Sequence, residues 1–324
     1  MSIVLICDTQ IFTDMSIEDK FHLRIYPKSL ANNMYYLYVP KWHIEIFTRY
    51  VYFKKSMKYI LLLILSIVPF CNYAEDGYRT KTDIFYSRNN DKYSNERCKL
   101  DIYYPENGKD LPVVVWFHGG GLTEGEKFLP EQLKNSGLVV VTPNYRLLPH
   151  VDIEDCIDDA AAAVAWTFEH IKEFNGSVKK IFIAGHSAGG YLTSMIGLDK
   201  QWLSKYGIDA DSIVGLIPYS GQVITHFAHR KKQGIGELQP SVDRLAPLFH
   251  IRRDAPLYII ITGDREQELY GRYEENAYMW RMMSLVGNKD TYIYELDGYN
   301  HSDMAVPAHH ILKQHIKKIF DYER

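Results

Sequence analysis

Along residues 75–324 short apolar runs recur at 113–117, 138–142, 180–184, 213–218, 257–262 and 291–296, and most are separated by helix-length segments. Short apolar runs of this length, rich in β-branched residues, read as strands buried on both faces, and strands alternating with helices give a mainly parallel sheet. Two earlier stretches, 81–87 and 99–104, flank the polar segment 88–97 and predict an antiparallel pair joined by a loop. Residues 152–174 carry Ile153, Ile157, Ala160, Ala161, Val164, Trp166 and Phe168 among acidic positions, the pattern of an amphipathic helix that Asn175-Gly176 ends. A second helix is expected over 273–286, closed by Gly287, and a last one over 307–322. The expectation is an α/β fold with about eight strands, mostly parallel, and helices on both faces.

The run at 181–184 stops at Gly185, and a helix-compatible segment begins just past Ser187 in Gly185-His186-Ser187-Ala188-Gly189-Gly190. A serine between glycines on a sharp strand-to-helix turn is a nucleophile elbow: the missing Cβ atoms allow a strained backbone and close strand-helix packing. Such a turn exposes Ser187 at the carboxyl edge of the sheet. His118-Gly119-Gly120-Gly121 follows the 113–117 strand, and bare backbone there lets N–H groups converge on one point. The N–H groups of Gly119, Gly120 and Ala188 are expected to form an oxyanion hole, whose single donors contribute about 2.7–4 kcal/mol to acyl-transfer transition states.

A serine hydroxyl needs a base. Among 13 histidines, His301 stands in the loop after the last predicted strand and is the candidate. His186 reads as a packing residue. His226 with His229, or His309 with His310, could in principle hold a metal, but no carboxylate or cysteine stands at ligand spacing, so neither metal nor organic cofactor is expected. The orienting acid is sought after the 257–262 strand, where Asp264, Glu266 and Glu268 all occur and spacing does not separate them.

Charge and the amino-terminal quarter add the cellular setting. A net charge of −3 with mixed signs gives no basic field for nucleic acid. Lys54, Lys55 and Lys58 precede the apolar run 59–70, which gives way to polar residues ending in Ala74-Glu75. That three-part layout predicts a signal peptide over 57–74 starting at Met57, an upstream extension over 1–56, and one catalytic domain over 75–324. A secreted or periplasmic bacterial protein follows. An alternative is lipid attachment at Cys71, which makes it an outer-membrane lipoprotein. Cys98 and Cys156 remain in the mature chain, as a disulfide or as two buried thiols. Oligomeric state is left open.

With Asn144-Tyr145-Arg146-Leu147 and the helix segment 158–166, these motifs resemble the hormone-sensitive-lipase-like α/β-hydrolases, and more closely the small bacterial acetyl-xylan and feruloyl esterases, over about residues 95–320. The resemblance implies the α/β-hydrolase fold, a Ser187–His301–acid triad and a cofactor-free serine carboxylesterase. It places the acid on Glu266, with Asp264 as the fallback. Lipase-like relatives carry an amino-terminal helical cap, whereas this chain enters strands almost at once, so the resemblance implies an open site without a large cap domain. A short-chain or aromatic acyl ester, free or linked to carbohydrate, is the implied substrate. The alternatives are an amidase or peptidase using the same triad, and a binding module on a hydrolase scaffold.

Overall fold

The computed structural model describes residues 77–236 and 238–320. The expected upstream extension, signal peptide and lipid-anchor cysteine all lie outside the described residues. Eight strands are present: β1 (Tyr78–Phe85), β2 (Lys99–Pro105), β3 (Leu111–Phe117), β4 (Val139–Pro143), β5 (Gly176–His186), β6 (Gly215–Tyr219), β7 (Leu257–Gly263) and β8 (Thr291–Leu296). They form one sheet in the order β1-β2-β4-β3-β5-β6-β7-β8. β2 pairs antiparallel with both β1 and β4, and every later pair is parallel.

The helices are α1 (Lys92–Arg97), α2 (Ile153–His170), α3 (Ala188–Leu198), α4 (Gln201–Ser204), α5 (Phe227–Lys232), α6 (Arg272–Leu285) and α7 (Ala305–Phe320). β3 shows why both faces of the sheet must be covered. Val113, Val115 and Phe117 enter one core layer with residues of α2, α3 and α6, including Met279 and Met283. Val114 and Trp116 enter the other with Met304, Ala308, Leu312 and Ile316 of α7 and its approach. Successive side chains point to opposite faces, so a run of five or more apolar residues demands helices on both sides. This is the α/β-hydrolase arrangement that the apolar pattern and motifs predict.

Some boundaries move. The 88–97 loop contains α1, capped by the Asp91 carboxylate, which accepts the N–H groups of Tyr93 and Ser94 at 3.0 and 2.9 Å. Six residues are too few to display a helical period. β5 begins at Gly176 rather than 180: Gly176 and Ser177 are buried, and the exposed or half-buried stretch 178–180, with two lysines, interrupts the apolar run between them and Ile181. Asn175, in the left-handed region at φ 64°, closes the turn after α2 as expected. Cys98 and Cys156 are both buried free thiols.

Beyond β4, Arg146 folds back on α2. Its Nε and Nη2 meet Asp159 Oδ2 and Oδ1 at 2.8 Å each, and the Asp159 carboxylate also accepts the Arg146 N–H at 2.9 Å. The pair is bidentate and buried, so removing one partner strands a charge, at a cost of about 3–5 kcal/mol. It fixes the loop that backs the glycine turn.

Candidate active site

Ser187 sits between β5 and α3 at φ 55° and ψ −113°. A non-glycine residue there carries strain of about 1–3 kcal/mol, held by its surroundings. Its N–H donates to the Tyr219 carbonyl at 2.8 Å, which ties the turn to the neighbouring strand β6. A Cβ on Gly189 would lie 2.1 Å from the Phe117 oxygen, and one on Gly190 would lie 2.9 Å from Gly221 Cα. Both glycines are therefore required by close backbone approach.

Ser187 Oγ lies 2.9 Å from His301 Nε2. His301 stands in the loop between β8 and α7, as its place after the last strand predicts. On the far side of the ring, Nδ1 is 2.8 Å from Glu268 Oε2. The carboxylate that meets the ring is thus Glu268, where the sequence reading placed Glu266 with Asp264 behind it. Residues 264–268 form a tight helical turn in which the Gln267 and Glu268 N–H groups both donate to the Asp264 carbonyl, at 2.9 and 2.8 Å. That turn throws Glu266 outward to solvent and brings the residue four positions on from Asp264 back over the strand end. Counting two residues along the chain assumes an extended loop, and the loop is coiled. Asp264 is instead a brace: its carboxylate accepts the N–H groups of Glu266 and Gly298 at 2.9 and 2.8 Å, which joins the acid loop to the histidine loop.

The Glu268 side chain is 0% exposed and that of His301 16%. Burial alone would raise the Glu268 carboxyl, but hydrogen bonds from His301, Ser220 and the Gly263 N–H, with the His301 charge, hold it at about 2. It is therefore ionised at neutral pH and keeps the Nδ1 proton on its own side of the ring. His186 packs, as expected, with a second duty: its Nε2–H donates to the His301 carbonyl at 2.7 Å, and the two rings lie 4.8 Å apart. Burial pushes His186 down to about 4, so it is neutral and does not compete for protons.

Ser220 escaped the sequence reading. Its Oγ lies 2.8 Å from His301 Nδ1 and the residue is fully buried. No motif marks it, but its place just past the end of β6, the strand next to the elbow, is a signal that parallel order alone supplies.

Gly119 and Ala188 are brought beside Ser187, with Gly120 next in the same turn. A Cβ on Gly119 would meet Ser187 Cβ at 3.4 Å, and Gly120, at φ 106°, would drive a Cβ to 2.1 Å from the Glu124 oxygen. Ala188 is the first residue of α3, where the backbone N–H has no partner within the helix. The glycine turn is clamped from behind. His118 stacks on Tyr145 at 4.4 Å, and Tyr145 Oη donates to the His118 carbonyl at 2.9 Å. Arg97 donates to the Gly125 and Tyr145 carbonyls and pairs with Glu126. These contacts give Asn144-Tyr145-Arg146 its purpose: it is the platform on which residues 118–127 rest.

Among the described residues no group of three or more His, Cys, Asp or Glu is placed to hold a metal. His226 is buried against Tyr191 and Phe227, and His309 against Trp116 and Tyr219. α5 lies in the segment after β6, and Phe227 stands so close to the glycine turn that a Cβ on Gly121 would be 2.9 Å from its Cζ.

Comparison with known proteins bears on the fold and on the segment that carries these motifs. The BD-FAE family model matches residues 100–214, which contain the glycine turn and the elbow. Esterase LipC of Mycobacterium tuberculosis is 29% identical over 174 residues, 48% of this chain and 43% of that protein. Carboxylesterase NlhH of the same organism is 35% identical over 101 residues, 29% of this chain and 32% of that protein. The match thus spans less than half the length of either relative. Among solved structures, a truncated carbohydrate esterase from gut microbiota superposes with a TM-score of 0.62 at 16% identity, over 76% of this chain and 98% of that one. The chain therefore has the α/β-hydrolase fold, and the segment that carries its serine elbow resembles the esterases built on that fold.

Proposed function

We propose that the protein is a serine carboxylesterase acting on short-chain or aromatic acyl esters, with Ser187 as nucleophile, His301 as base and Glu268 as orienting acid. The observation that carries this is the unbroken chain Glu268 Oε2, His301, Ser187 Oγ at 2.8 and 2.9 Å, with its carboxylate end sealed from water. His301 takes the Ser187 proton as the hydroxyl attacks the ester carbonyl, and the N–H groups of Gly119, Gly120 and Ala188 receive the oxyanion. The imidazolium then protonates the leaving alcohol, and water reverses the sequence on the acyl-enzyme.

The rim supports a compact substrate. A cavity of about 510 Å³ beside the glycine turn is lined by Thr123, Leu148, Val151, Phe227 and Lys231 among others, and we assign it to the part of the substrate away from the ester carbonyl. A carbohydrate-linked ester is the reading this favours, in keeping with the name of the carbohydrate esterase it superposes on. Export through the segment 57–74 fits such a substrate, and an intact-mass measurement of the natively expressed protein giving an amino terminus at or before residue 57 would rule it out.

The test is initial-rate hydrolysis of 4-nitrophenyl acetate, butyrate and octanoate, beside a 4-nitroanilide, by wild type and Ser187→Ala. We expect rates that fall with acyl length, little anilide cleavage, and a loss of at least about 10³-fold in the variant. Equal rates in the two proteins would remove Ser187 from the chemistry.

A further inference from the structure

We propose that Ser220 is a positioning residue of this centre, its hydroxyl bridging the Glu268 carboxylate and the Nδ1 edge of His301 so that Nε2 stays free to receive the Ser187 proton. The inference rests on the esterase reading above.

Nδ1 of His301 has two oxygen neighbours at 2.8 Å, Glu268 Oε2 and Ser220 Oγ. It can offer them one hydrogen or one lone pair. If Ser220 donated to a bare Nδ1, the ring proton would sit on Nε2 facing Ser187, and His301 could not act as base. The buried carboxylate settles the choice, because an anion shut away from water requires donors. It has the Gly263 N–H on Oε1 at 2.9 Å and the Leu269 N–H on Oε2 at 3.1 Å. Ser220 Oγ and Glu268 Oε2 both lie 2.8 Å from the same nitrogen, which places the hydroxyl beside this carboxylate as a further donor. The Ser220 hydrogen therefore goes to Glu268, and its oxygen lone pair turns toward Nδ1–H. Two protons converge on one carboxylate, and the imidazole is locked in the reactive tautomer.

The backbone of Ser220 is held as a functional one would be. It lies at φ 46°, a conformation a non-glycine residue keeps only when its surroundings impose it. Its N–H donates to the Ile261 carbonyl at 2.7 Å, its carbonyl accepts from Arg272, and the next carbonyl, of Gly221, accepts from Asn276 at 2.8 Å. Arg272 is paired at 2.7 Å with Glu275, which in turn accepts the N–H groups of Val223 and Ile224 at 3.1 Å each. This polar cluster at the head of α6 grips residues 220–224 and touches no part of the glycine turn. The charged and titratable groups facing the Ser220–His301 contact are Glu268 from the loop after β7, His186 from β5, and Arg272 with its partner Glu275 from α6.

Ser220→Ala and Ser220→Gly both delete the hydroxyl, with opposite effects on the backbone, since glycine relieves the positive φ and alanine keeps the strain. With one donor fewer, Glu268 pulls harder on Nδ1–H and favours the imidazolium. Both variants are expected to lower kcat roughly tenfold with little change in KM. Both should also move the acid limb of the kcat/KM profile upward by roughly half a pH unit, even though their Tm values differ. In a Glu268→Gln background, Ser220→Ala should cost less than about twofold. An acid limb that stays or moves down in both variants, or an undiminished effect beside Glu268→Gln, overturns the proposal. NMR of the His301 Nδ1 proton decides it without turnover: a downfield shift in Ser220→Ala supports the bridge, and an unmoved resonance overturns it. A wild-type protein inert toward esters would sink the esterase reading and leave Ser220 to that resonance.

Discussion

The elbow at 185–190 and the acid loop at 264–271 each deliver one member of the same relay, and they are built on opposite principles. In the elbow, backbone presses on backbone: Gly185, Gly189 and Gly190 each lack room for a Cβ against neighbouring main chain. Position is fixed by exclusion, so the residue types are dictated and the sequence displays them. In the acid loop, position is fixed by hydrogen bonds among side chains and amides, and several carboxylates satisfy the same local rules. A crowded turn announces itself in sequence. A wired loop does not.

The largest expected effect tests the wiring. Glu268→Gln keeps the shape but leaves the Nδ1 proton without its anion, and kcat should fall roughly 10⁴-fold, as when an amide replaces an orienting carboxylate. Glu266→Gln, two residues away and exposed, should change activity less than about twofold. Steady-state kinetics of the two side by side decides which carboxylate the relay uses, and equal losses would erase the distinction drawn here.

Stability should separate the two regions next. Gly189→Ala puts a methyl 2.1 Å from the Phe117 oxygen and should cost on the order of 3 kcal/mol by urea unfolding. Gly271→Ala, in the acid loop at φ 73°, meets nothing within 4 Å and should cost only about 1 kcal/mol of backbone strain. A larger loss at 271 than at 189 would contradict the exclusion argument.

Acid should separate them more gently. Burial holds His186 of the elbow at about 4, below its usual 6.5, so the unfolded chain takes up a proton that the folded one refuses. Stability from this group is whole above pH 6.5 and declines toward pH 4, by about 1.4 kcal/mol per pH unit at most. His118 and His309, held at about 4, and His226, at about 3, add to the same window, each chiefly through burial. Glu268 of the acid loop lies at about 2 against a usual 4.5, so its contribution is whole above pH 4.5 and is lost as pH falls toward 2. Urea titrations across pH should show the two windows in that order, and His186→Asn should make the upper one shallower by that residue's share while His118, His226 and His309 keep the rest.

How much was legible follows from the same contrast. The inner strands showed themselves because burial on both faces leaves an apolar run, the exposed edge strand β1 only through its pairing with β2, and Ser187 and the glycine turn because close approach demands glycine. His301 was found from topology. α1 was hidden by its length, and the start of β5 by lysines that extend beyond the core. Glu268 was in view with Asp264 and Glu266, but choosing among them required knowing that the loop coils. Ser220 had no mark at all, since a serine at a strand end is ordinary until the opposite loop is folded over it.

One strand connects all three members of the relay. β6 offers its Tyr219 carbonyl to the Ser187 amide, sets the Ser220 hydroxyl against His301, and through Ser220 is bonded to Ile261 on β7, two residues before the Gly263 amide that holds Glu268. Serine, histidine and acid thus take their bearings from a single short segment at the middle of the molecule, as instruments are aligned to one optical bench. The rim around them, including α5, is outside that alignment. A change there leaves the serine, histidine and carboxylate distances where β6 sets them.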